Sequence, residues 1–216
     1  MSASEFHLPA VFDLGATFAF GLTGALAAIR RRYDIVGVFF LALACGLGGA
    51  LIRDAVFIKQ AGPIPLLADP RYIEVVAGAT LFGAIFGGRV KHFHRLIAIL
   101  DALGLGAYAA FGTQKALNAD LAVPAAILVG VINATGGGLL RDILTREEPL
   151  VFKPGQFYVL TAFGGSVAFV FHSVQTGLSA TNAALAAIVI TFVFRLLAIA
   201  FNWRTTPVSG TDLPIP

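Results

Sequence analysis

Seven apolar runs, most of them long enough to cross a lipid bilayer as a helix, divide the chain at roughly 9–29, 34–57, 72–88, 96–115, 121–144, 157–174 and 181–203. A helix rises 1.5 Å per residue, so about 20 apolar residues span the hydrocarbon core. Inside that core every backbone N–H and C=O must be satisfied within the protein, which for such runs means helix. The expected fold is therefore an all-α membrane protein with seven transmembrane helices in a single domain over residues 1–206. The remaining 207–216 is Pro-containing and polar and is read as a disordered tail. Only 12% of the residues are charged against 57% hydrophobic, about half the charged share of a soluble domain. The third and sixth runs are short and contain glycine.

The basic residues explain themselves as topology rather than as a nucleic-acid surface, despite a net charge of +3. Nine of the fifteen Lys and Arg residues lie in the loops after runs one, three and five and in the tail: Arg30, Arg31, Arg32, Arg89, Lys91, Arg95, Arg146, Lys153 and Arg204. Three lie on the other side, Lys59, Arg71 and Lys115, and three lie within or at the ends of runs, Arg53, Arg141 and Arg195. Positive residues accumulate on the cytoplasmic side. This places the C-terminus in the cytoplasm and, with seven spans, the N-terminus outside, in a plasma (inner) membrane. The first eight residues contain no Lys or Arg, so the first run is read as a retained span rather than a signal peptide.

Two stretches stand out within the apolar runs. Run two contains GLGGALIRD (Gly46 to Asp54) and run five contains TGGGLLRD (Thr135 to Asp142). At one offset, 88, Gly48 matches Gly136, Gly49 matches Gly137, Arg53 matches Arg141 and Asp54 matches Asp142. The same offset pairs Asp13 with Asp101, Phe20 with Tyr108 and Gly24 with Gly112. At a slightly different offset PLLADP (Pro65 to Pro70) matches PLVFKP (Pro149 to Pro154). The pattern reads as a duplication of three-span units, about 9–88 and about 96–174, with the seventh helix at about 181–203 added. An odd number of spans inverts the second unit, giving an inverted 3+3 repeat, an architecture of proteins that move solutes past broken helices near the midplane.

Glycines in a membrane helix weaken it and permit a break, but they also permit close helix packing. Ala42, Gly46 and Ala50 suit the second reading. The charges need partners, because an unpaired charge in the membrane costs several kcal/mol. Arg53 and Asp54 fall near the outer end of run two, Arg141 and Asp142 near the inner end of run five. Adjacent residues on a helix do not face each other, so each is expected to pair with another span. Asp13 and Asp101 could attract cations or partner the arginines of spans two and five, and the second reading is preferred because a lone Asp would tend to protonate. Two roles stay open for these charges: lining a pathway or clamping the helices. Lys115 is read as snorkelling to the outer surface, Glu74 as interfacial, and Arg195 as requiring a partner that the sequence does not name.

His7, His92, His94 and His172 are scattered and form no metal site. The single cysteine, Cys45, lies mid-span. No phosphate-binding loop and no nucleophile–base pattern occurs, so neither catalysis nor a cofactor is expected.

The 3+3+1 arrangement, with GLGGALIRD in span two and ATGGGLLRD in span five, resembles the prokaryotic trimeric intracellular cation (TRIC) channels, which are related to bacterial glycine-transporter-like membrane proteins. The resemblance covers about residues 8–203. It implies a homotrimer with one potassium-permeable, hourglass-shaped pore per protomer, formed by spans one, two, four and five. Spans two and five would be kinked at Gly48-Gly49 and Gly136-Gly137-Gly138. Ala50 stands where the second copy has Gly138, which implies a milder first kink. Lys115 is only a loose match to the basic span-four motif of the animal members. No TVGYG filter is present, so Na⁺ is expected to permeate beside K⁺. The rival reading is a secondary transporter for a small zwitterion such as glycine.

Overall fold

The computed structural model describes residues 8–58, 64, 68–87, 93–153, 157–203 and 205. Seven helices follow the seven apolar runs in order: α1 (Ala10–Arg30), α2 (Ile35–Ile52), α3 (Arg71–Phe86), α4 (Phe93–Asn118), α5 (Val123–Leu144), α6 (Tyr158–Val170) and α7 (Ala180–Ala200). Two of them widen into a π-helical last turn, α2 over Arg53–Ile58 and α6 over Phe171–Gln175. No strand occurs among the described residues. With its π turn counted, α2 joins α1, α4, α5 and α7 as five helices long and apolar enough to cross a membrane on their own. α3 and α6 are shorter. The tail at 207–216 and the first half of the PLLADP segment, 65–67, lie outside the described residues.

Local chemistry sets the helix ends. The Asp34 carboxylate accepts from the Gly37 N–H at 2.8 Å and caps α2, and Ser179 caps α7 through the Asn182 N–H, each satisfying one of the orphan donors of a first turn. Four helices stop in the same manner. Arg32, Asp120, Arg146 and Asn202 take positive φ values between 51° and 60° just past α1, α4, α5 and α7. The next residue's N–H then returns to a carbonyl in the last turn, as in Tyr33 to Ala28 at 3.1 Å and Glu147 to Asp142 at 2.8 Å. This is the left-handed helix stop usually given to glycine.

α1 lies against α2, α3 and α4; α4 and α5 pack together and against α6; α7 lies on α4 and α6. In lipid no hydrophobic force drives helices together, so close packing through small residues does much of the work. Gly24 of α1 lies on Cys45 and the Leu41 carbonyl, and Gly46 of α2 lies on the Thr17 carbonyl. Phe20 and Tyr108 stack near the centre at 5.4 Å between ring centroids.

Candidate functional site

The glycines meet at the crossing of α2 and α5. A Cβ added at Gly49 would strike the carbonyl oxygen of Asn133, and one added at Gly137 would strike the carbonyl oxygen of Cys45. Gly136 faces the Cα of Gly49. Position 45 plus the offset of 88 is position 133, so the two contacts are each other's counterparts. They run in opposite directions along the helices, so the two chain segments cross antiparallel. Both glycine groups lie inside uninterrupted helix. At Gly49, Gly136 and Gly137 the missing side chains let the two backbones touch, and α2 leaves α geometry a turn later, at Arg53.

Each helix carries its Arg-Asp pair beyond this crossing, at opposite ends of the helix pair. In the first set, Arg53 and Asp13 are fully buried and Asp54 nearly so. The Arg53 guanidinium donates to both Asp54 oxygens, at 2.6 and 2.8 Å, and to Asn133 Oδ1 at 3.3 Å. Asp13 Oδ1 lies 3.7 Å from Arg53 Nη1, and Asp13 Oδ2 accepts from the Tyr72 hydroxyl at 2.5 Å. Lys115 reaches Asp54 Oδ2 at 3.3 Å, and the Phe111 ring takes both cations on its face, at 5.4 and 5.6 Å. Two cations thus meet two carboxylates, the pairing that buried charges require.

The second set repeats the plan with different neighbours. Arg141 Nη1 donates to Asp101 Oδ1 at 2.8 Å, and its Nε donates to Asp142 Oδ1 at 3.1 Å. Thr23 Oγ1 lies 3.4 Å from Arg141 Nη1, and Asp142 Oδ2 accepts from the Leu150 N–H. Thr23 and Phe111 are counterparts at the offset of 88, as are Cys45 and Asn133, so each arginine is flanked from equivalent positions by dissimilar side chains. Arg195 of α7 lies over the Tyr158 ring at 4.9 Å. An aromatic face binds a guanidinium through its quadrupole, and this answers the search for Arg195's partner with a group that leaves no charge signal in the sequence.

The structure places Asp13 and Asp101 against Arg53 and Arg141, as their charge and spacing led one to expect. It corrects two readings. Arg53 and Arg141 also bond their own neighbours Asp54 and Asp142, because a long arginine can fold back along its helix although adjacent Cβ atoms diverge. Lys115 pairs with Asp54 instead of only snorkelling. Tyr72, Asn133 and Thr23 were missed, since neutral polar residues give no signal of which charge they serve. Among the described residues no group of His, Cys, Asp and Glu could hold a metal, and His94 instead meets Arg30 at 3.2 Å.

A cavity of about 380 Å³ opens at the arginine-rich end and reaches the second set. Asp101, Arg141 and Asp142 lie in its wall, with Arg30, Arg31, Arg95, Glu147, Glu148, Lys153 and Arg195 around it. Arg31 and Glu147 bridge its rim at 2.9 Å, and Arg31 holds the Glu147 carboxyl below the usual range. In the first set Asp13, Arg53 and Asp54 are buried, and the Lys115 side chain is 22% exposed.

The model of the family described as "Glycine transporter" matches residues 10–87 and 98–173, most of the chain. A TRIC trimeric intracellular cation channel orthologue from Rhodobacter sphaeroides superposes with a TM-score of 0.82 at 31% identity, over 88% of this chain and 96% of that one. The chain belongs to the TRIC family. A second solved TRIC cation channel is 29% identical and covers 96% of the chain with a TM-score of 0.78. Among curated relatives, a UPF0126 membrane protein of Deinococcus radiodurans is 31% identical over 71% of each chain. The UPF0126 inner membrane protein YadS of Escherichia coli is 29% identical over 89% of this chain and 92% of its own length. These relatives and the apolar helices make the chain a membrane protein.

Proposed function

We propose that this TRIC-family protein is a monovalent-cation channel, permeable to K⁺ and also to Na⁺, that works without a cofactor and carries one pore per protomer of a homotrimer. The observation that carries the reading is the superposition on a TRIC trimeric intracellular cation channel over nearly the whole chain. The reciprocal Gly49–Asn133 and Gly137–Cys45 contacts support an inverted 3+3 repeat with α7 added. On this reading all seven helices span the membrane, the arginine-rich end faces the cytoplasm, and the N-terminus lies outside.

The pathway runs beside the α2–α5 crossing, between the two Arg-Asp sets. Asp101, Arg141 and Asp142 stand at the head of the inner cavity, and Asp13, Arg53, Asp54 and Lys115 guard the outer end. Gly49, Gly136 and Gly137 bring the helices close enough that any opening here must bend or separate them, with Gly48 beside Leu140 and Gly138 beside the Tyr158 hydroxyl. Because each arginine is held by two carboxylates, the first set is neutral with Lys115 counted and the second keeps a formal charge of −1, so neither repels cations from the path. No chemical step is involved; flux follows the electrochemical gradient.

The test is reconstitution in planar bilayers and vesicles. Unitary K⁺ currents far faster than carrier turnover are expected. Saturable glycine counterflow without unitary current would overturn the channel in favour of a transporter.

A further inference from the structure

Four rings at the end of α7 take no part in the charge sets. Phe157, at φ 46° just before α6, meets Phe194 at 6.4 Å and Trp203 at 6.1 Å between ring centroids. Trp203 also meets Phe194 at 5.9 Å and lies nearly parallel to Phe201 at 6.1 Å. The backbone fixes this arrangement, since Asn202 takes a left-handed conformation and the Trp203 N–H returns to the Ala198 carbonyl at 3.0 Å. The cluster is ordered without being a core: Phe201 is 66% exposed and Trp203 38%.

Its position says what covers it. Along α7 the exposed Val189, Val193 and Leu197 form an apolar stripe that ends at Phe201. The same last turns of α7 supply Arg195 and Ile199 to the cavity that Arg30, Arg31, Arg95 and Lys153 also line. The rings therefore sit where an apolar helix face gives way to a basic end. Aromatic residues with a polar edge favour the headgroup level of a bilayer, where the ring stays among upper acyl carbons and the indole N–H reaches water or phosphate. Basic residues at that level attract anionic headgroups. We propose that the Phe157–Phe194–Phe201–Trp203 cluster is a bilayer-interface anchor, seated among phospholipid headgroups at the arginine-rich end. The proposal requires a membrane-embedded chain and is independent of what the chain conducts.

Trp203 is the only tryptophan, so tryptophan emission from the full-length, unlabelled protein, excited selectively over the tyrosines, reports this cluster alone. The protein is reconstituted into phosphatidylcholine–phosphatidylglycerol vesicles containing lipid brominated either near the headgroup or near the acyl terminus. Headgroup-proximal bromine is expected to quench about twofold more strongly than deep bromine. Equal or stronger quenching from the deep position overturns the proposal. Failure of both to quench also overturns it, and the emission wavelength then names the alternative: blue-shifted for burial against another copy of the chain, red-shifted for open water. A Phe201→Trp/Trp203→Phe chain provides a second reading from the neighbouring ring, and a different depth there counts against the anchor.

Discussion

A methyl group on Gly137 would collide with the carbonyl oxygen of Cys45, and its counterpart on Gly49 would collide with the carbonyl oxygen of Asn133. Backbone cannot yield as the tip of a side chain can. Gly48, by contrast, faces only the end of Leu140, and Gly15 and Gly78 face open space.

Gly137→Ala and Gly49→Ala should each destabilise the protein by about 1–3 kcal/mol, the usual cost of overpacking. Gly15→Ala and Gly78→Ala should be neutral, or stabilising by up to about 1 kcal/mol through helix propensity. Thermal unfolding of the purified protein in detergent ranks the four. Equal midpoints for Gly137→Ala and Gly78→Ala would show that the crossing is not close.

Two tyrosines separate a hydroxyl that is used from one that is not. The Tyr72 hydroxyl bonds the buried Asp13 carboxylate, whereas the buried Tyr158 hydroxyl has no partner among the described residues. Tyr72→Phe should cost about 1–3 kcal/mol by leaving a buried carboxylate short of a donor, and Tyr158→Phe should be close to neutral. Denaturation midpoints in the reverse order would refute the assignment.

The second charge set should be brittle. Asp101→Asn removes the 2.8 Å partner of a buried guanidinium, a loss of about 3–5 kcal/mol. An Asp101→Asn/Arg141→Gln double variant removes both charges and should recover part of it. A double-mutant cycle on folded yield and melting midpoint decides; strict additivity would mean that the pair is not coupled.

Charge at the cavity rim should act on conduction through the field alone. Lys153 is exposed there, 3.9 Å from Glu148. Lys153→Glu should raise K⁺ conductance by about twofold or more in dilute salt, with the difference largely gone near 1 M, where the screening length falls to about 3 Å. A gain that persists in concentrated salt would point to a structural change.

The Arg31–Glu147 bridge gives a small acid-side term. A carboxyl whose pKa is lowered on folding contributes stability above its usual value of 4.5, and that contribution is lost as pH falls through the lowered folded value. Both groups are well exposed, which holds the contribution below about 1 kcal/mol. Glu147→Gln should slightly flatten the decline in melting midpoint between about pH 6 and pH 3; an unchanged slope would remove the bridge from the account.

Much of this was legible beforehand because lipid is an unforgiving solvent. Long apolar runs had to be helices, and Asp13 and Asp101 were natural interspan partners for Arg53 and Arg141, since a charge in the membrane needs an opposite one. The glycines were harder. Two glycines in a membrane helix weaken it and also thin it, and only the tertiary partner shows which property is used. Asn133 and Thr23 stayed hidden because a single hydrogen bond imposes no pattern on its neighbours. The fold-back of Arg53 onto Asp54 depends on side-chain reach and a widened last turn that residue spacing does not report.

The crossing of α2 and α5 is written in main chain, glycine against carbonyl, on both sides. Main-chain atoms are common to all residues, so the seam places almost no demand on side-chain identity beyond keeping its few glycines. Elsewhere the two segments differ, with Cys45 at the position matching Asn133 and Thr23 at that matching Phe111, while the glycine–carbonyl contact is the same on both sides. What identifies this crossing is the set of positions that have no side chain at all.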